Sequence, residues 1–264
     1  TIWTSVGAAT FATVGSSQDI GIAFDNANAP NVVFTDNAVT NKISVMKFNG
    51  TAWVNVGTQG FSAGQALYVT IAKSPSTGAL YVGYSDNSNL NWGTVMTFNG
   101  TAWTLVGTAG GASQGSQALD PELAISNTGV PHLIYADFGN SNRATVRAFN
   151  GTSWVVVGSS GFSIGAISYM GIAFNSAGTA YVSFRDAGIS NRASAFMFNG
   201  TAWVNVGTAG FSGSTATSTS ILFNSVGQAC VGYQDGSVSS RATVMKYCTA
   251  ATASVTNVSA TSSC

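Results

Sequence analysis

Phe48-Asn49-Gly50-Thr51-Ala52-Trp53-Val54-Asn55-Val56-Gly57 decides how this chain is read, because it returns. Close copies stand at Phe98 to Gly107, Phe149 to Gly158 and Phe198 to Gly207. The turn asparagine moves from Asn49 to Asn99, Asn150 and Asn199, in steps of 50, 51 and 49 residues. A fixed period of that size marks a repeat architecture.

Aligned on this turn, the chain divides into five units with three apolar segments before the turn and one after it. The first segment is Ile20 to Phe24, matched by Val69 to Ala72, Leu123 to Ile125, Met170 to Phe174 and Ser220 to Phe223. The second ends on Asp36, Asp86, Asp137, Asp186 and Asp235, and the third on Phe48, Phe98, Phe149, Phe198 and Tyr247. The fourth begins at Trp53, Trp103, Trp154 and Trp203. All are short and rich in β-branched and aromatic residues, with turn residues between them. Asn-Gly between segments three and four predicts a two-residue type I′ hairpin. Gly78, Gly129, Gly178 and Gly227, with Asn28 in the first unit, predict a second tight turn between segments one and two.

Four antiparallel strands per unit of this length make one propeller blade. Thr1 to Gly7 matches only a fourth strand, and Ala242 to Tyr247 is a third strand with no fourth after it. Third and fourth strands are therefore equal in number but offset by one unit. The expected fold is an all-β, five-bladed β-propeller, four antiparallel strands per blade, with the N-terminal strand closing the last blade and Trp3 in its outer-strand place. Blades are expected at about 18–57, 68–107, 119–158, 168–207 and 218–247 plus 1–7, within a propeller of 1–248 followed by a C-terminal tail of 249–264.

Composition narrows the partners. Charged residues are 7% of the 264, net charge is zero, and 45% are hydrophobic. No basic face is available to meet phosphates, so nucleic acid is not an expected partner. No apolar run approaches the ~18 residues of a transmembrane helix. The chain starts at Thr1 without a basic-then-apolar leader, and reads as processed or trimmed. Cys230, Cys248 and Cys264 lack zinc spacing. Cys248 with Cys264 is a candidate disulfide pinning the tail, and Cys264 reaching a neighbouring chain is the alternative.

Five of the nine acids are one repeated position, and six residues on come Lys42, Trp92, Arg143, Arg192 and Arg241. This predicts a loop clasp in which Asp36, Asp86, Asp137, Asp186 and Asp235 cap turn amides and, outside the second unit, pair with the base. The functional alternative is a ring of equivalent polar pockets. Trp92 replaces the base in the second unit, where its indole is free to stack on a sugar.

Other motifs carry less. Gly60 to Gly64, Gly111 to Gly115 and Gly161 to Gly165 fit G-x-S-x-G, but they recur in inter-blade loops, and the nucleophile elbow needs a strand–turn–helix setting and a His base. The sole histidine, His132, stands where other units carry Asn31, Tyr81, Tyr181 and Cys230. Asp120 and Glu122 are the one local acidic pair, too little for a glycosidase constellation or a calcium loop. No catalytic residue, metal or cofactor is assigned. Asn49, Asn99, Asn150, Asn199 and Asn257 open N-x-S/T sequons.

The unit W-V-N-V-G-T-x-G-F-S-x-G, I-A-F-N-S-x-G-T-A-Y-V-S-F-x-D and N-R-A-T-V-M-K-F-N-G-T resembles the tandem propeller repeats of large secreted and cell-surface proteins. Five blades of about fifty residues are also similar in architecture to tachylectin-type lectins, which bind N-acetylated sugars between blades. The resemblance implies an extracellular or cell-surface location and no assigned reaction.

The sequence thus favours a non-enzymatic propeller with a structural or adhesive role, partnered by copies of itself or by surface proteins. The alternative is a carbohydrate-binding lectin with pockets between blades, at loops carrying Phe11, Phe61, Phe162 and Phe211 or near Trp92.

Overall fold

The structure, a computed structural model, describes residues 2–8, 10–12 and 17–248. Among these it is all β, with single 3-10 turns and no α-helix. The first sheet holds β1 (Ser17–Phe24), β2 (Pro30–Asp36), β3 (Lys42–Phe48) and β4 (Trp53–Asn55). The second holds β5 (Ala66–Lys73), β6 (Leu80–Asp86), β7 (Trp92–Phe98) and β8 (Trp103–Leu105). The third holds β9 (Ala118–Ile125), β10 (Pro131–Asp137), β11 (Arg143–Phe149) and β12 (Trp154–Val156). The fourth holds β13 (Ile167–Phe174), β14 (Ala180–Asp186), β15 (Arg192–Phe198) and β16 (Trp203–Asn205). The fifth holds β17 (Ala216–Phe223), β18 (Ala229–Asp235) and β19 (Arg241–Lys246).

All pairings are antiparallel between strands adjacent in sequence. The first strands pack on one another in succession, β1 on β5, β5 on β9, β9 on β13 and β13 on β17. They line the axis, and the short fourth strands lie outermost, which is the propeller arrangement. Each inner sheet is covered on both faces, so its middle strands read as apolar runs rather than alternations. Leu133, Ile134 and Tyr135 on β10 are fully buried in succession. Each such aliphatic side chain contributes roughly 1.5–3 kcal/mol by leaving water.

The turn between first and second strands is as the sequence predicts: Asn28, Gly78, Gly129, Gly178 and Gly227 all have φ between 58° and 88°. The Asn-Gly turn differs. Phe48 pairs with Trp53, so four residues, not two, form the loop. Asn49 Oδ1 accepts the amides of Thr51 and Ala52 at 3.0 and 2.9 Å. Only Gly50 of the pair has positive φ, 98°. The Asn side chain caps the loop, so the type I′ backbone is not required. The same bonds recur at Asn99, Asn150 and Asn199.

The loop clasp forms by half. Asp36, Asp86, Asp186 and Asp235 each accept the amide two residues on, at 2.8–3.1 Å, and so cap a 3-10 turn. Asp137 makes no such cap and accepts from Ser116 Oγ and Asn140 Nδ2. The ionic half is corrected: Lys42, Arg143, Arg192 and Arg241 make no ion pair with these acids among the described residues, whose ion pair is Lys47 with Asp25 at 2.7 Å. Hydroxyls stand in, with Ser44, Thr94 and Thr145 donating to Asp36, Asp86 and Asp137 at 2.9, 3.2 and 2.9 Å. All five carboxylates are buried, while the three arginines are exposed. A buried acid is satisfied by nearby neutral donors, and a guanidinium keeps its hydration.

The G-x-S-x-G serines also find a structural role. Buried Ser62, Ser113 and Ser163, and Ser212 at the matching place in a loop that lacks the motif's last glycine, accept the amides of Ile43, Gly93, Ala144 and Ala193 at 2.8–3.1 Å. Each donates back into its own loop, as Ser163 does to the Gly165 carbonyl at 2.7 Å. They tie each inter-blade loop to the third strand of the preceding blade.

At the chain ends, the N-terminal segment plays the outer-strand part toward the first blade. Its Val6 carbonyl accepts from Trp53 Nε1 at 2.7 Å, as Val56 does from Trp103. Toward the fifth blade the strand pairing among the described residues stops at β19, and Trp3 is fully exposed. Cys230 is free. The tail 249–264, with Asn257 and the Cys264 half of the expected disulfide to Cys248, lies outside the described residues.

Candidate functional site

The contact between blades repeats. Trp103, Trp154 and Trp203 donate from Nε1 to the carbonyls of Val56, Val106 and Val157 of the preceding blade at 2.7, 2.8 and 2.8 Å. The glycine after each valine has positive φ, and a Cβ there would lie 3.0–3.3 Å from the indole Cδ1. W-x-x-V-G is therefore an indole on one blade and its seat for the next.

Beside these seats two equivalent grooves open between blades. One, about 650 Å³, lies between the second and third blades and is lined by Tyr81, Thr97, Val106, Pro131, Phe149 and Asn150. The other, about 620 Å³, lies between the third and fourth and is lined by His132, Val157, Thr179, Tyr181, Phe198 and Asn199. Each joins the ring at the head of one blade's second strand (Tyr81, His132) to the Phe-Asn-Gly turn of the next. Such volumes suit a small ligand, with mostly apolar walls and a few polar groups. Burial lowers the pKa of His132, partly offset by the Val130 carbonyl, which lies 3.0 Å from Nδ1. The ring packs edge-on to Phe174 at 4.9 Å.

A second polar cluster lies on the axis-lining strands. Asp19, Tyr68, Asp120, Tyr169 and Ser218 occupy one repeated bulge, all with φ between 48° and 53°. Asp19 and Asp120 accept the amides of Tyr68 and Tyr169 at 2.7 and 2.9 Å. These are amides that a bulge leaves outside the ladder. Glu122 accepts from Thr70 Oγ1 at 3.0 Å. Burial, and then the charge of Asp120, push its carboxyl up to about 7. Burial likewise raises Asp120, against the Tyr169 amide, which lowers it. The Arg185 guanidinium lies 4.8 Å from the Tyr169 ring centre, its Nε held by Ser168. Among the described residues no three His, Cys, Asp or Glu side chains are grouped to hold a metal.

The residues expected to bind ligand are placed differently. Phe11, Phe61 and Phe162 stack face to face on Trp53, Trp103 and Trp203, at centroid distances of 4.0, 4.7 and 4.9 Å. Their exposed platform is spent on the indole. Phe211 has no indole partner and meets Tyr233 edge-on at 6.1 Å. Half-buried Trp92 closes over Gly110, where an added Cβ would lie 2.9 Å from its Cε3. It lines neither groove. The four sequon asparagines 49, 99, 150 and 199 are exposed. Asn150 and Asn199 double as groove walls, a role hidden because their turn chemistry accounts for them fully. The Asp–Tyr amide locks were also hidden, since each joins residues 49 apart.

No protein-family model matches the sequence, and no curated protein matches it. Solved structures match its fold. The lectin of Aleuria aurantia, in complex with Fucalpha1-6GlcNAc, aligns with TM-score 0.59 at 16% identity, over 89% of this chain and 79% of that one. That lectin is six-bladed. The α-L-arabinanase of Penicillium chrysogenum aligns with TM-score 0.54 at 11% identity, over 83% and 76%. The endo-arabinase of Bacteroides thetaiotaomicron aligns with TM-score 0.52 at 13% identity, over 90% and 97%. At these identities the likeness is one of fold, and the fold is the β-propeller. No helix among the described residues is long and apolar enough to cross a membrane.

Proposed function

We propose that this protein binds carbohydrate in the grooves between its blades, outside the cell or on its surface, and does not cleave what it binds. One observation carries the reading: the same groove recurs at 650 and 620 Å³, each time with a ring on one wall and an Asn-Gly turn on the other. A ring face with nearby amide and hydroxyl groups offers a sugar both its apolar and its polar contacts. The fold neighbours support the reading by analogy, since a lectin with this fold holds a fucosylated disaccharide.

Neighbours that are glycosidases raise the catalytic alternative. Hydrolysis needs one carboxyl to donate a proton and another to attack or to activate water. Here Asp19 and Asp120 are engaged by backbone amides, and Glu122 by Thr70. They act as parts of the frame.

A glycan array tests the reading. Wild-type protein is expected to bind a restricted set of glycans, and His132→Ala and Asn150→Ala to weaken that binding about tenfold, or ~1.4 kcal/mol. No binding above background retires the proposal. Release of reducing ends from a bound glycan moves the protein to the hydrolases.

A further inference from the structure

Between the fourth and fifth blades lies a cavity of about 660 Å³, lined by Val206, Gly207, Phe211, Met245 and Tyr247. At the second blade the same places are Val56, Gly57, Phe61, Met96 and Phe98, and they hold an indole. Trp103 donates to the Val56 carbonyl at 2.7 Å, stacks on Phe61 at 4.7 Å and tilts against Phe98 at 5.4 Å. A Cβ on Gly57 would lie 3.2 Å from Phe98, and one on Gly207 3.3 Å from Tyr247, so the frame is the same. The cavity is a tryptophan socket. Among the described residues the fifth sheet ends at β19, and no tryptophan fills the cavity.

The complementary strand exists. Trp3-Thr4-Ser5-Val6-Gly7 has the W-x-x-V-G spacing, its Val6 already seats Trp53, and its indole is fully exposed. The sheet faces beside the two halves are equally uncovered. Val244 on β19 is 72% exposed, where Val45 and Val95, the same position in the first two blades, are each 1%. Ile20 and Ile22 on β1 are 68% and 59% exposed, where their counterparts Val69 and Ile71 are 8% and 9%. The molecule therefore ends in two halves of the interface it makes between its own blades. Packing of first strands runs from β1 to β17, and β17 makes no comparable contact back to β1.

We propose that copies of this chain join head to tail, residues 2–7 of one adding to β19 of the next as the missing fourth strand. Trp3 enters the socket, opposite Tyr247 as Trp53 is opposite Phe48, and donates to the Val206 carbonyl. Ile20 and Ile22 of the donor then cover Val244 of the acceptor. An edge strand augmented by an incoming strand is an established mode of recognition. The contact is heterologous, so it propagates unless it closes into a ring.

Sedimentation velocity on the full chain over a range of concentrations tests this. Wild type is expected to form a concentration-dependent series of oligomers. Trp3→Ala removes the donor and Val244→Lys the acceptor. Both sites are exposed, so folding is preserved, and each variant alone is expected to associate at least thirtyfold more weakly, as loss of a ~2 kcal/mol hot spot requires. Mixed in equal amounts the two variants are expected to give dimers and nothing larger, because each retains the half the other lacks. A wild type that stays monomeric, variants that associate like wild type, or a mixture that stays monomeric each overturns the proposal. Monomers throughout point to residues 2–7, or the segment 249–264, covering the socket within one chain.

Discussion

Glu122 is a carboxyl whose folded and unfolded states differ most plainly in their hold on a proton. Burial beside Asp120 lifts it from 4.5 to about 7. Between those values the folded protein keeps a proton that the unfolded chain has released, so the stability Glu122 contributes is fully present below pH 4.5 and is lost as pH rises through 7. Asp120, raised for the same first cause, adds in the same direction. The urea midpoint is therefore expected to fall from pH 4.5 to 7.5, by on the order of 1–3 kcal/mol of stability. Glu122→Gln cannot ionise and can keep the Thr70 contact, so it is expected to flatten most of that slope. An unchanged slope in the variant assigns the dependence elsewhere. Neither the raised carboxyl nor its cause was legible from Asp120-Pro121-Glu122 alone. Its first cause is burial, which comes from packing that a local pair of acids does not announce, and the Thr70 hydroxyl that opposes the rise comes from another blade. The capping half of the repeated aspartate was legible, because a cap is made within two residues. Its ionic half was not, because opposition across a loop does not say whether a long side chain turns inward or toward water.

At the scale of the element, the W-x-x-V-G strand is the unit that joins one blade to the next. Trp154 shows the join in its barest form. Its loop carries Gly111 where others carry a phenylalanine, so no ring stacks on the indole, yet it is 3% exposed and bonds to Val106 at 2.8 Å. Trp154→Phe removes that bond, strands the carbonyl and leaves a small void. The expected loss is about 2–4 kcal/mol in chemical denaturation. A loss below about 0.5 kcal/mol puts the strength of the join in the strands rather than the indole. Strand order and the glycines of the first turn were legible, since period and positive φ are both written in residue type. The length of the Asn-Gly hairpin was not, because asparagine can cap a four-residue loop as readily as it can enter a two-residue one.

For the whole molecule, the repeat count states how many blades there are but not the angle between them, and that angle decides whether the first and last meet. Protection against hydrogen exchange reads the consequence. Opening free energy follows local burial, and in repeat arrays it follows the neighbours on either side. β10 has blades on both faces, and Leu133, Ile134 and Tyr135 are fully buried. β19 has one sheet neighbour among the described residues and is exposed along most of its length. At dilution the β10 amides are expected to exchange slowest and those of β19 fastest among the strands. If a second copy supplies the fourth strand, β19 and the residues around Ile20 gain protection as concentration rises, while β10 does not change. The rise tracks occupancy of the socket, so it is absent in Trp3→Ala. Protection of β19 that is already high at dilution and independent of concentration means the chain closes on itself, and the two uncovered faces then belong to one ring.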